Sequence, residues 1–405
     1  MNNAEVGYIV PRRPQCVVGS ADGSAGRNLY IDMLRGIAIF LVMLLHYNLA
    51  YRLQASPLQQ WVSVPVLRTL FYNGNYGVSI FFVISGFLIT SNIVSRYGSL
   101  AGIDVAHFYK LRFFRLYPLV VLALVVITAL GLAGLPNFSN KAAGVALGNG
   151  FFVVANLSVL TFWHNILMES KGYFNYAMNI YWSLSVEEVF YLVYPWVLLL
   201  MRRRWQLVAL AFACAVVAPV YRYMYRDDEL FYLYGNLACI DMLAFGCVAA
   251  LLAPRITLTR TSRKLLTVLS VIGMAWVYMQ GIGGNEALGQ TELGLCAALF
   301  LVAVSGLRAG SIAHALGRPL AWLGSHSYEL YLFHIVVLGI MVDQIPRAAM
   351  PVDSKLPMFA LFFVLSALLG WITARFIGTP LNRRLRHRFT RTAPRHPDLP
   401  AGAWE

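Results

Sequence analysis

Long apolar runs separated by short polar stretches recur along nearly the whole chain. Runs of spanning length lie near 31–50, 76–94, 117–135, 181–201, 205–222, 231–252, 265–282, 291–307, 326–345 and 357–377. About 20 apolar residues cross a bilayer as a helix, so the pattern predicts about ten transmembrane helices. A further run, 144–163, holds Gly148, Asn149, Gly150 and Asn156 and needs a separate criterion. The first run, IDMLRGIAIFLVMLLHYNLA, carries Asp32, Arg35 and His46. Arg35 and His46 are eleven residues apart, which is about 20° past three full helical turns and a rise of roughly 16 Å. One stripe therefore bears a cation near one mouth and an imidazole far along the same face. Such a stripe is costly in lipid and should face protein or water.

Composition fixes the class. The chain is 59% hydrophobic and 12% charged, against about 25% charged in a soluble domain. The reading is an all-α polytopic membrane protein. A net charge of +14 suggests a nucleic-acid partner only until the charges are placed in loops and tails, where membrane topology puts them. Cys16, Cys214, Cys239, Cys247 and Cys296 show no metal spacing and mostly fall in apolar runs, so no metal is expected. No cleavable signal peptide is evident, and the first helix is read as its own insertion signal.

Charge counting orients the bundle. If 144–163 does not span, both termini are cytoplasmic, with 23 basic residues in the inner segments. The outer segments then carry eight: Arg52, Arg68, Lys141, Lys171, Arg222, Arg226, Arg347 and Lys355. If it does span, the Arg202–Arg204 cluster, the 255–264 cluster and the basic tail move outside, against the positive-inside rule. Residues 136–180 thus become a long external segment containing a re-entrant or interfacial helix, of the kind used as a lid or wall. Residues 1–28 read as a disordered cytoplasmic N-terminus, 29–380 as the transmembrane domain and 381–405 as a basic cytoplasmic tail suited to anionic headgroups.

Four groups of residues could carry chemistry. His46 lies in the outer half of its helix and can serve as general base or transient nucleophile. Arg112 and Arg115, at i and i+3, form one cationic face suited to phosphates, to which Arg35 adds a third guanidinium. Glu187 and Glu188 follow Trp182 and Ser183 on a helix running inward, and an intramembrane carboxylate is a functional hypothesis by default. Tyr328, Tyr331 and His334 form a polar stripe in a lipid-length helix. Each also has a structural reading: interhelical hydrogen bonding, a membrane anchor, or a buried salt bridge. Asp241 is a lone acid that needs a basic partner. The His164/Glu169 spacing is a weak signal, and Ser85-Gly86-Phe87 reads as a close helix-packing point.

In order along the chain stand DMLRGIAIFLVMLLHY (32–47), GVSIFFVISGFLIT (77–90), FYKLRFFRLYPL (108–119), YWSLSVEEVFYLVYP (181–195) and SYELYLFH (327–334). Together they resemble the acyltransferase-3 family of integral membrane proteins over roughly residues 30–380. The resemblance implies a ten-helix protein of the bacterial cytoplasmic (inner) membrane. It implies transfer of an acyl group, usually acetyl from cytoplasmic acetyl-CoA, to an extracytoplasmic hydroxyl on a surface polysaccharide, lipopolysaccharide, peptidoglycan or oligosaccharide. Arg35 and His46 match the family's Arg-x10-His, Arg112 and Arg115 its Arg-x-x-Arg, and Trp182, Ser183 and Glu187 its Trp-Ser-Leu-x-x-Glu. His334 matches a late histidine, with Tyr331 beside it. Many relatives carry an arginine two residues before the acid of helix 6; here Cys239 stands before Asp241. An extracytoplasmic esterase domain of the SGNH type, fused in some relatives, is not expected after helix 10.

The expected site thus has His46 and Glu187 as catalytic pair, with Glu187 or another carboxylate orienting the ring. Arg35, Arg112 and Arg115 bind acyl-CoA, and Trp182, Ser183, Tyr331 and His334 position substrate. The partners are acyl-CoA, a hydroxyl acceptor and membrane lipid, not nucleic acid, with room for a homo-oligomer. A transporter or flippase is the alternative, since it too needs buried charge at mid-membrane; no inverted repeat or broken-helix pair marks one in the sequence.

Overall fold

The computed structural model describes residues 28–201, 203–307 and 309–389. The predicted disordered segment up to 27, and residues 390–405 of the basic tail, lie outside the described residues. The chain forms helices α1 (Leu29–Tyr51), α2 (Val64–Tyr72), α3 (Tyr76–Tyr97), α4 (Val105–Leu132), α5 (Phe151–Leu160), α6 (His164–Lys171), α7 (Trp182–Leu200) and α8 (Arg204–Met224). They are followed by α9 (Glu229–Tyr234), α10 (Asn236–Leu252), α11 (Arg260–Gln280), α12 (Gly289–Val304), α13 (Ser311–Ser325), α14 (Ser327–Gln344), α15 (Lys355–Thr373) and α16 (Thr379–Phe389). A two-stranded hairpin pairs Lys141 with Ala146 and Ala142 with Val145.

Among the described residues, seven helical stretches are long and apolar enough to cross a membrane, and α13 with α14, bent by 69°, can make an eighth. The chain is a multi-pass membrane protein. The count of ten was reached from runs that include α11 and α12. The first turns of α11 carry Arg260, Arg263 and Lys264 and α12 has 16 residues; neither is among the seven. The bend before α14 falls at His326, so α13 and α14 form a broken-helix pair where the sequence pattern marks none. The run 144–163 resolves into the hairpin and α5, whose ten residues rise only about 15 Å, half a bilayer.

The bundle is built around α1, which packs against α2, α3, α12, α13, α14 and α15. Asn28 caps its start by accepting from the Tyr30 and Ile31 amides. It ends at Arg52, which takes a left-handed conformation at φ 51°. Glycines let the neighbours come close: a Cβ on Gly36 would overlap the Leu320 carbonyl of α13, and one on Gly86 the Leu243 carbonyl of α10. Bare backbones in contact gain dispersion in place of the hydrophobic drive that lipid removes.

The segment between α4 and α7 is a fixed wall. Asn137 donates to Asp343 at 2.6 Å, and Asn175 donates to the Phe138 carbonyl and to Asn140. Phe138 is fully buried. His164 is buried against Phe174, its Nδ1 2.7 Å from Ser158 Oγ. Burial pushes its pKa down to about 3, so it stays a neutral packing residue, in line with the weak His164/Glu169 signal.

Candidate active site

Two parallel helices carry the site. α14 runs beside α1 in the same direction, and the contacts form a ladder. At the lowest rung Arg35 donates to Ser327 Oγ at 2.9 Å. At the middle rung His46 meets His334 at 3.3 Å between ring nitrogens. Past the end of α14, Arg347 donates to the carbonyls of Leu49 and Ala50.

The Arg35 end is charged. Arg112 stacks over the Tyr191 ring at 4.7 Å and the Phe108 ring at 5.8 Å. It lies within electrostatic reach of Arg115, Glu187 and Glu188. Glu329 is in reach of both Arg115 and Arg35. Arg35, Arg112 and Arg115 are thus linked through these shared neighbours. Arg115 is exposed. The end of α16 closes on this rim, with Phe389 stacked on Phe114 at 5.2 Å.

The histidine rung is neutral in its surroundings. His46 Nδ1 lies 2.8 Å from the Val42 carbonyl, an acceptor only, so the hydrogen-bond pattern assigns the proton to Nδ1 and the lone pair to Nε2. His334 Nδ1 is held the same way by the Leu330 and Tyr331 carbonyls at 2.9 Å. Its Nε2 then accepts from His46 Nδ1–H. Tyr331 donates to the Ile180 carbonyl at 2.6 Å and accepts from Ser183 Oγ–H at 2.6 Å. Ser183, Tyr331, His334 and His46 thus form one connected set. His334 is fully buried, whereas His46 keeps partial access.

Glu187 does not join that set. Its carboxylate accepts from Ser85 Oγ–H and Tyr191 O–H, beside Arg112. The expected pairing of Glu187 with His46 is thus not what the fold builds. The reason is helix direction. α7 runs opposite to α1, and Ser183 is the α7 residue level with the histidines. Glu187, four residues on, is about 6 Å deeper toward the arginines. Trp182 also stands apart from the histidines, stacked on Tyr234 at 4.4 Å.

Ser85, expected at a packing point beside Gly86, also holds Glu187, as does Tyr191, which stands at i+4 from that acid. Arg222 was counted with the outer loop charges, yet it is fully buried and pairs with Asp241 at 2.8 Å. It also donates to the Ala238 and Ala287 carbonyls, and Thr291 donates to Asp241 at 2.6 Å. Cys239 therefore leaves Asp241 with a partner after all, from α8 instead of its own helix.

The polytopic helical bundle thus holds arginines around one mouth and, roughly 16 Å along α1 from Arg35, the His46–His334 contact. The sequence profile of the acyltransferase-3 family, an acyltransferase domain, matches residues 28–376, and the chain belongs to that family. It is 26% identical over 384 residues to the O-acetyltransferase OatA of Staphylococcus aureus, a match covering 87% of this chain and 57% of the relative. It is 25% identical over 375 residues to the peptidoglycan O-acetyltransferase OatA of Listeria monocytogenes, covering 87% and 55%. The chain thus spans less than two thirds of the length of these relatives. No solved structure matches.

Proposed function

We propose that the protein is an O-acyltransferase of the bacterial cytoplasmic membrane that moves an acyl group, acetyl, from cytoplasmic acyl-CoA to a hydroxyl of an extracytoplasmic surface glycan. The observation that carries this reading is the α1 ladder, with arginines at one end and a base with a free lone pair at the other. The charge count supports the Arg35 end as cytoplasmic. Membership of an acyltransferase family favours transfer over the transporter alternative; both relatives favour acetyl, and the Listeria relative favours a peptidoglycan acceptor.

In this reading Arg35, Arg112 and Arg115 hold the phosphates of the donor, and Glu187 fixes Arg112 with help from Ser85 and Tyr191. The acyl thioester reaches the histidine rung through the bundle, and the acceptor comes from the opposite side. His46 Nε2 takes the proton of the acceptor hydroxyl as its oxygen bonds to the acyl carbon. The C–S bond breaks, and the proton passes to the departing thiolate. His334 and the Val42 carbonyl keep Nδ1–H in place, so no carboxylate is needed to set the tautomer. Mass spectrometry of surface glycans from cells with and without the gene tests the function. A glycan that is acetylated only when the gene is present supports it; identical glycans in the two strains reject it.

A further inference from the structure

The positive-inside bias leaves few basic residues on the outer side, so those that remain there need another cause. Three of the eight gather at one place. Arg347 caps α1 through the Leu49 and Ala50 carbonyls. Lys355 Nζ donates to the Arg52 and Ala55 carbonyls at 3.3 and 3.2 Å. Arg347 and Arg52 lie close enough to act on Lys355 as like charges. The carbonyls that Arg347 caps are three and four residues beyond His46, one helical turn, or about 5 Å of rise.

Capping does not use up this charge. The C-terminal end of a helix is worth about half a negative charge; Arg347 caps it with a whole positive charge, and Lys355 and Arg52 lie beside it. None of the three is in an ion pair in the described structure. Asn137 donates to Oδ1 of Asp343, the acid nearest Arg347 in sequence, while its Oδ2 is buried without a hydrogen-bond partner. Arg52 is exposed, and its side chain makes no hydrogen bond with the described residues. A further group waits nearby: the Tyr176 hydroxyl is buried without a partner, within electrostatic reach of Arg347 and Tyr51. A buried donor without an acceptor is costly, and here it lies within electrostatic reach of the Arg347 cation.

We propose that Arg52, Arg347, Lys355 and Tyr176 form an anion site at the acceptor mouth, and that the acceptor glycan carries a carboxylate or phosphate close to the hydroxyl that is acylated. This rests on the acyltransferase reading for the direction of the mouth. It adds to that reading a charged class of acceptor and a reason for cations on the outer face. The anionic group docks at the end of α1, and the hydroxyl reaches down one turn to His46 Nε2.

The test uses the full chain in phosphatidylcholine nanodiscs. Trigalacturonate, with a carboxylate on every ring, and its methyl ester, with none, are titrated by calorimetry. The acid should bind about tenfold more tightly than the ester, with the gap shrinking as salt rises. Arg52→Gln should remove most of that gap with an unchanged thermal midpoint, because its side chain holds nothing in the fold. Arg226→Gln removes another exposed outer cation and should leave the gap intact. Equal binding of acid and ester, no binding of the acid, or equal losses in the two variants would overturn the proposal. So would loss of the gap in discs containing phosphatidylglycerol, which would make the mouth a lipid headgroup site. Thiol release from acetyl-CoA in the same discs reads the donor chemistry separately: its absence beside an intact acid preference would reject the acyltransferase and keep the anion site.

Discussion

Arg112 and His46 are basic side chains set in membrane-length helices, and the fold treats them in opposite ways. Around Arg112 it gathers acids: Glu187 and Glu188 are in electrostatic reach, with Ser85 and Tyr191 fixing the first. Around His46 it gathers none: the ring is held by the Val42 carbonyl and by His334. A permanent guanidinium in the bundle needs counter-charge or a ligand anion to offset its desolvation. An imidazole can shed its proton and remain in low dielectric as a neutral base. One region pairs its cation with acids, whereas the other surrounds its imidazole with neutral partners.

The comparison breaks first at His46. His46→Ala should lower acetyl transfer by about 10²–10⁴-fold, with expression and thermal midpoint unchanged, read as acetyl incorporated into surface glycan. Retained transfer would leave the neutral region without a function. Glu187→Gln comes next and separates two placements of the acid. Acting beside Arg112, it should raise the KM for acetyl-CoA about ten- to hundredfold, the scale of a lost hydrogen bond to a charged group, with a smaller change in kcat. A fall in kcat at constant KM would instead mean that Glu187 works on the histidine. His334→Gln should be milder. The 3.3 Å contact is long, so kcat should drop by about tenfold or less while the KM for acetyl-CoA holds.

How far these two regions could be read from the sequence depends on whether one helix or two define the relation. Arg35 and His46 share α1, and Tyr331 and His334 share α14, so the 3.6 period alone aligned each pair. The depth of Glu187 relative to His46 depends on where two antiparallel helices stand against each other. Spacing within α7 does not contain that. Charge counting failed at Arg222 for a related reason. It lies at the end of the run 205–222, where a count assumes water, but α10 brings Asp241 to it. Gly86 was read correctly as a packing point, and that same closeness turns Ser85 toward α7. The ten runs were visible as hydropathy, whereas the bend between α13 and α14 carries no hydropathy signal.

The smallest predicted effect tests the seam between the regions. Ser183 and Glu187 sit one turn apart on α7, the first bonded to Tyr331 and the second to Ser85 and Tyr191. Ser183→Ala removes one donor from Tyr331, whose own hydroxyl keeps its bond to the buried Ile180 carbonyl. The loss should be near the low end for a neutral hydrogen bond, about 0.5–1 kcal/mol of stability. Tyr331→Phe removes the shared hydroxyl and leaves Ser183 Oγ–H and the Ile180 carbonyl only their long 3.5 Å contact, so it should cost more, about 1–3 kcal/mol. If the regions are separate, both variants should lower kcat a few-fold and leave the KM for acetyl-CoA alone. A Ser183→Ala protein with a raised KM for acetyl-CoA would show that the turn between Ser183 and Glu187 transmits the donor site to the histidines, and the two regions would have to be treated as one.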